Sequence, residues 1–116
     1  MPRAATTADV FNAIAEPRRR QIIDLLARRG ALAVGALVIA VGLPQPAVSK
    51  HLGVLRKVGI VTVEKTGQQR VYHLNSTELK PVYAWVKTFE PFWSHQLERI
   101  KERAERKARG QQTTTH

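Results

Sequence analysis

Leu43-Pro44-Gln45-Pro46-Ala47-Val48-Ser49-Lys50-His51-Leu52-Gly53-Val54-Leu55-Arg56-Lys57-Val58 is the stretch that decides the fold. Wound as a helix, it gathers Val48, Leu52 and Leu55 on one narrow apolar arc and turns Pro46, Ser49, Lys50, Gly53 and Lys57 the other way. One side is made to dock in a core. The other carries a hydroxyl, ammonium groups and a bare glycine with no carboxylate, which suits an anionic polymer, and duplex DNA is the natural candidate. Pro44 and Pro46 fall in the first turn, where a missing N–H costs little, and they fix where the helix begins.

The residues on either side supply the context. Residues 32–40 read two ways, because Val34, Val38, Ile39 and Val41 are β-branched and suit a strand as well as a buried helix. Gly42 before the Pro44 helix decides for helix: helix, tight glycine turn and second helix make a helix-turn-helix, whose second helix enters the major groove. Gly59 closes that second helix. Residues 61–65 and 70–74 then alternate in polarity about Thr66-Gly67-Gln68-Gln69, predicting a hairpin, and a hairpin directly after a recognition helix is a wing. Lys65, Gln68, Gln69 and Arg70 place donors and positive charge near its tip, as phosphate or minor-groove contacts require.

Upstream, Thr7 is the expected cap of a first helix through Val10, Phe11, Ile14 and Ala15. Pro17 opens a second, with Ile22, Ile23, Leu25 and Leu26 inward and Gly30 at its end. Arg18, Arg19 and Arg20 sit at the N-terminus of that helix, where the macrodipole disfavours cations, so some other interaction must favour them. A structural or solvated role outweighs a phosphate contact there. Downstream, Asn75 and Glu78 have capping-box spacing ahead of one long helix over about 76–107. Leu79, Val82, Val86, Phe89, Trp93, Leu97, Ile100 and Ala104 recur at roughly the helical period. Tyr83, Trp85 and Phe92 widen this stripe beyond what a small wing domain covers, so a second copy of the chain is implied. Pro91 should kink or interrupt the helix near residues 87–90. Residues 1–6 and 110–116 are expected to be flexible tails around one domain over 7–109.

Composition narrows the classes. The chain has 116 residues, enough for one domain that buries about 65% of its unfolded surface. It has no cysteine, which removes disulfides and thiolate chemistry and fits a reducing cytoplasm. Nineteen Lys and Arg against nine Asp and Glu give a net charge of +10, favouring an anionic partner. The uncharged run 31–43 is well short of the roughly 20 residues that cross a bilayer, and no signal peptide follows Arg3.

No serine or acid pairs with a histidine as nucleophile and base, so an enzyme is not expected. His51 flanks the buried arc, which favours a half-buried hydrogen-bonding role over base contact. His95, Glu98 and Glu102 have helical spacing, but without a second clustered histidine they make a poor metal site, and none is expected. His73 and His116 carry no expected chemistry. Trp85 and Trp93 read as core or interface rather than as a ligand cage.

These residues resemble the arsenical-resistance-repressor (ArsR-type) family of bacterial winged-helix regulators over about 10–100. Phe11-Asn12-Ala13-Ile14-Ala15-Glu16-Pro17-Arg18-Arg19-Arg20-Gln21-Ile22 is similar to the family's opening helices, and Gln45-Pro46-Ala47-Val48-Ser49-Lys50-His51-Leu52 with Leu55-Arg56 to its recognition helix. Gly59 and Arg70-Val71-Tyr72 add to the match. Trp85 and Phe92-Trp93 resemble a metal-independent branch often encoded beside lipid-binding or toxin-linked genes. The resemblance implies a homodimer that represses its own operon. Metal-sensing members carry a cysteine pair where this chain has Val34-Gly35-Ala36-Leu37-Val38. Ala36 and Ile39 replace acidic residues, Val38 replaces a small one, and Pro44 stands in place of a capping serine.

The expectation is therefore a mainly α protein with a β-hairpin wing: a winged helix-turn-helix repressor, dimeric through its terminal helices, on an inverted-repeat operator. Gln45, Ser49 and Lys50 would contact bases. Lys57, Lys65, Gln68 and Arg70 would hold phosphates, with Arg56 a weaker candidate. Phe11, Phe89, Trp93, Leu97 and Ile100 would form the dimer interface. No cofactor, metal, membrane or obligatory small molecule is expected, and the location is cytoplasmic. The alternative is a protein-interaction module using Ala36 and Ile39, with only non-specific DNA affinity.

Overall fold

The computed structural model describes residues 6–114, with side chains described through residue 110. Helix α1 (Thr7–Ile14) is capped one residue earlier than the sequence suggested. Thr6, not Thr7, is the cap: its hydroxyl accepts from Asp9 N at 3.2 Å and its N–H donates to Asp9 Oδ2 at 2.9 Å. That reciprocal box satisfies two donors at once. It also takes residue 6 out of the expected tail, while residues 1–5 and 115–116 lie outside the described residues.

Helix α2 (Pro17–Arg29) explains the arginine run. Glu16 is its cap and accepts from Arg19 N at 3.1 Å, with Pro17 in the first turn. The three arginines reach away from their own helix to the carbonyl ends of two others. Arg19 Nε donates to Ala13 O and its Nη2 to Asn12 O at 3.3 Å, and Arg20 Nη1 donates to Ile14 O at 2.7 Å and Ala15 O at 3.1 Å. Arg18 Nη1 donates to Val41 O at 3.4 Å, in the last turn of the third helix, and to Gln21 Oε1 at 3.1 Å. Cations unfavourable at one helix N-terminus become favourable at two C-termini, where they donate to the carbonyls of the last turns.

Residues 32–41 hold both of the structures their composition allowed. Leu32–Ala33 form strand β1, and helix α3 (Val34–Val41) follows at once, so the helix starts two residues later than the 32–40 reading placed it. The strand exists because a distant partner pairs with it, which a local pattern cannot show. Gly42 ends α3 at φ 74°, in the left-handed region, and its N–H donates to Val38 O at 2.9 Å. Helix α4 (Gln45–Lys57) follows with Pro44 as its cap; Pro44 offers no side-chain acceptor, and Pro46 lies inside the first turn.

Helix α4 ends in a Schellman motif. Gly59, at φ 86°, donates to Arg56 O at 3.0 Å, and Ile60 N donates to Leu55 O at 3.0 Å, with Leu55 and Ile60 both fully buried beneath. Asn75 is tied to this end rather than capping the next helix as expected. Its Nδ2 donates to Gly59 O at 3.2 Å and its N–H to Ile60 O at 2.8 Å. With that side chain engaged, residues 76–79 begin as a 3₁₀ turn and no capping box forms.

Strands β2 (Val61–Thr66) and β3 (Gln69–Leu74) make the hairpin, and β1 pairs with the far edge of β3 to give an antiparallel sheet in the order β1-β3-β2. Thr66 pairs with Gln69, so the loop is two residues, with positive φ at Gly67 (64°) and not at Gln68. This is the φ pattern of a type II′ turn, which matches the strands' right-handed twist.

Val10, Ala13, Ile22, Leu26, Leu37, Val41, Val48, Leu52, Leu55, Ile60 and Val61 form one buried cluster, and no polar side chain among the described residues is buried with them.

The chain divides into two compact units, residues 1–82 and 83–116. The single long helix expected over 76–107 is three pieces: the 3₁₀ turn, α5 (Lys80–Lys87) and α6 (Glu90–Thr114). The interruption falls where Pro91 requires it. A continuous helix would drive the proline ring into the carbonyl of Lys87, the residue at which α5 ends. Thr88 closes α5 by donating from Oγ1 to Trp85 O at 2.6 Å. The expected boundary at residue 109 is not observed, because α6 continues through Gly110 to Thr114. Gly110 is not among the positive-φ glycines, so it weakens the helix there without terminating it.

The arginine bonds give a stability prediction. Arg19→Met keeps the aliphatic stem and removes donors from Ala13 O and Asn12 O, so it should cost about 1 to 3 kcal/mol. Arg28→Gln, on the exposed last turn of α2, should stay within about 0.5 kcal/mol of the parent. Urea midpoints at constant slope check both.

Candidate nucleic-acid interface

Val48, Leu52 and Leu55 are essentially inaccessible to solvent, as the apolar arc predicted, and their burial fixes which face of α4 is free. Gln45, Ser49, Lys50, Gly53, Arg56 and Lys57 are all exposed on it. An open groove of about 790 Å³ runs between this face and the wing. Gln45, Ser49, Gly53 and Arg56 line it from α4, and Gln68, Gln69 and Arg70 from the hairpin, so two separate segments of candidate residues meet in one concavity. Lys50, Lys57 and Lys65 do not line the groove. The two on α4 flank it on the exposed helix surface, and Lys65 lies on β2 directly opposite Arg70.

Sequence reasoning missed part of the lining. Gly35 and Ala36, at the start of α3, and Tyr72 of β3 also border the groove. Strand alternation puts Tyr72 on the same face as Arg70, which could have flagged it. Nothing local could have placed the α3 residues there, since β1 sets their position through the pairs Leu32–Tyr72 and Ala33–Val71. Ala36 borders the groove while Ile39 is 85% exposed elsewhere on α3.

Charge is sorted across the wing. Lys65 and Arg70 are cross-strand partners, and like charges directly opposite destabilise a hairpin, so folding does not account for the pair. Glu64 points to the other face, where Oε2 lies 3.2 Å from His73 Nε2. Among the described residues no carboxylate lines the groove. His51 is half-buried, as expected, and off the free face of α4, but its Nδ1 lies 3.9 Å from Glu16 Oε2, too far for the expected hydrogen bond.

Gly53 separates stability from binding. It has ordinary helical φ, and a Cβ built on it meets nothing within 4 Å, so the fold does not require glycine there. Its missing side chain leaves bare backbone toward the groove. Gly53→Ala should therefore raise thermal stability by roughly 0.5 to 1 kcal/mol while weakening duplex binding several-fold. Paired calorimetric melts and fluorescence-anisotropy titrations check the opposite signs.

A helix framed by a basic wing, with a polar face free along its length, defines a winged helix-turn-helix DNA-binding protein. The model for bacterial regulatory proteins of the arsR family matches residues 16–63. The transcriptional repressor SdpR of Bacillus subtilis is 33% identical over 81 residues, covering 70% of this chain and 89% of that protein. An uncharacterised HTH-type transcriptional regulator of Methanocaldococcus jannaschii is 33% identical over 82 residues, with 71% and 92% covered. The solution structure of a homodimeric winged helix-turn-helix DNA-binding domain from Mycobacterium bovis superposes at a TM-score of 0.60 with 32% identity, covering 72% of this chain and 77% of that one. The chain belongs to the ArsR family of bacterial transcriptional regulators, and it is a DNA-binding regulator rather than an enzyme.

Proposed function

We propose that this regulator is a repressor, acting in the cytoplasm as a homodimer on an inverted-repeat operator. The observation that carries the reading is the groove, where the free face of α4 and the tip of the wing converge. Gln45, Ser49 and Lys50 read bases: Gln45 offers the bidentate amide that suits adenine, and Lys50 the ammonium that suits guanine N7 and O6. Arg56, Lys57, Lys65, Gln68 and Arg70 hold phosphates and set the register. The repressor name of the Bacillus subtilis relative supports the direction of regulation.

Assembly follows from α6. Trp93, Leu97 and Ile100 are 43%, 60% and 60% exposed and share one side of the helix, with Ala104 continuing the line. Phe89 stacks on Trp93 at a centroid distance of 6.2 Å and meets Trp85 edge-on at 5.3 Å, which extends the apolar surface across the break. A twofold pairing covers the same patch on both copies, with Phe11 of α1 a further contributor. The homodimeric Mycobacterium bovis domain supports this state.

Control by metal is not part of the reading. The chain lacks cysteine, and among the described residues no group of three His, Asp or Glu comes together within one copy. Among the described residues no helix is long and apolar enough to cross a membrane.

Selection from a randomised duplex pool tests the central claim. It should enrich an inverted repeat with half-site centres about 34 Å apart. Ser49→Ala with Lys50→Ala should weaken the selected site by about 1 to 3 kcal/mol for each base interaction removed and flatten its preference over random duplex. Intact preference in that variant would remove α4 from base reading.

Burial of each large side chain is worth about 1.5 to 3 kcal/mol, so Trp93→Ala should weaken the dimer and operator affinity together. Sedimentation velocity and binding titrations on the same samples check this. An unchanged dimer without operator affinity would reject the interface.

A further inference from the structure

The apolar stripe leaves most of the circumference of α6 unexplained, and its charges are not mixed at random. At 100° per residue, Arg99, Arg103, Arg106 and Lys107 fall within one arc. Glu98, Glu102 and Glu105 fall within another, and Trp93, Leu97, Ile100 and Ala104 within a third. A helix surface meant only for solubility places opposite charges three or four residues apart. Arg103 has the reverse: its helical neighbours are Arg99, Ile100, Arg106 and Lys107, while Arg99 and Arg106 share the single carboxylate of Glu102 at that spacing. Lys107 likewise has no carboxylate three or four residues away. All four basic side chains are exposed, and none makes an ion pair with a carboxylate among the described residues. Like charges four apart oppose helix formation. An outside anion relieves that repulsion.

We propose that the basic ridge of α6 is a second nucleic-acid contact, holding duplex phosphates without reading sequence. The inference rests on the duplex-binding reading above and adds to it a surface in the other compact unit, distinct from α4 and the wing. Three features favour a duplex over other anionic partners. The ridge is a line of cations without an acid in it, as a continuous phosphate backbone requires. Its guanidinium groups present paired donors that match phosphate oxygens. The neighbouring apolar arc, which a membrane-lying helix would need, is assigned to the subunit contact.

The test compares Arg103→Gln with Lys107→Gln against Arg28→Gln with Arg29→Gln, a pair on α2 that removes the same charge. The probe is a mixed-sequence duplex of about four helical turns, with affinity measured across salt concentrations. Each phosphate interaction removed lowers the logarithmic salt slope by about 0.9, so the ridge pair, present on both copies of the dimer, should lower it by about 3.6 and the α2 pair by much less. Arg103→Lys should retain the slope. Equal slopes for the ridge pair and the parent overturn the proposal. So does an equal fall in the α2 pair, which would assign the effect to net charge. A ridge variant that sediments as monomer would assign these residues to the subunit contact and also overturn it. Loss of binding to phosphatidylglycerol vesicles at unchanged duplex slope would place the ridge on a lipid surface instead. The operator reading fails separately: a parent protein with no preference for its selected sequence refutes base reading by α4, while the slope comparison still decides the ridge.

Discussion

Burial of one side of α4 is the constraint on which the rest depends. Val48, Leu52 and Leu55 are worth about 1.5 to 3 kcal/mol each when removed from water, and they lie on a helix of thirteen residues that cannot rotate without exposing them. With that face fixed, Ser49, Gly53 and Arg56 have no choice but to face outward. The Schellman end then fixes the helix along its axis, and Asn75 ties the chain leaving the sheet to that same end. The reading surface is thus positioned by apolar packing and by backbone hydrogen bonds, leaving its own polar groups uncommitted.

Electrostatics is organised on the same plan at two levels. Arg18, Arg19 and Arg20 are committed inward to helix carbonyls, where their charge acts on the dipoles of α1 and α3. Arg56, Arg70, Lys50, Lys57 and Lys65 have no such partners among the described residues and accumulate around the groove. These cations thus fall into two sets, those with a helix carbonyl end within reach and those left free around the groove.

Much of this was legible in the sequence because it is local. The arc of α4, the glycine turn at Gly42, the two-strand wing and the break before Pro91 all follow from periodicity or from the chemistry of one residue type. Most of what escaped was set by distant partners. Leu32–Ala33 became a strand because β3 offered an edge, and Asn75 bonded to Gly59 and Ile60 rather than capping the helix after it. Thr6 displaced Thr7 as cap because Asp9 stands three residues after it and completes the box. The groove lining from α3 escaped for the same reason as the strand, since β1 carries it there.

The cross-strand pair of Lys65 and Arg70 gives the wing an unusual response to its medium. In the free protein the two charges push the strands apart near the tip, beside a turn of only two residues. Dissolved ions shield that repulsion, so a saltier medium firms the empty hairpin. The same ions compete for the phosphates that the pair would grip, so they loosen it from DNA. Rigidity of the free tip and strength of the proposed grip thus move in opposite directions as ionic strength rises.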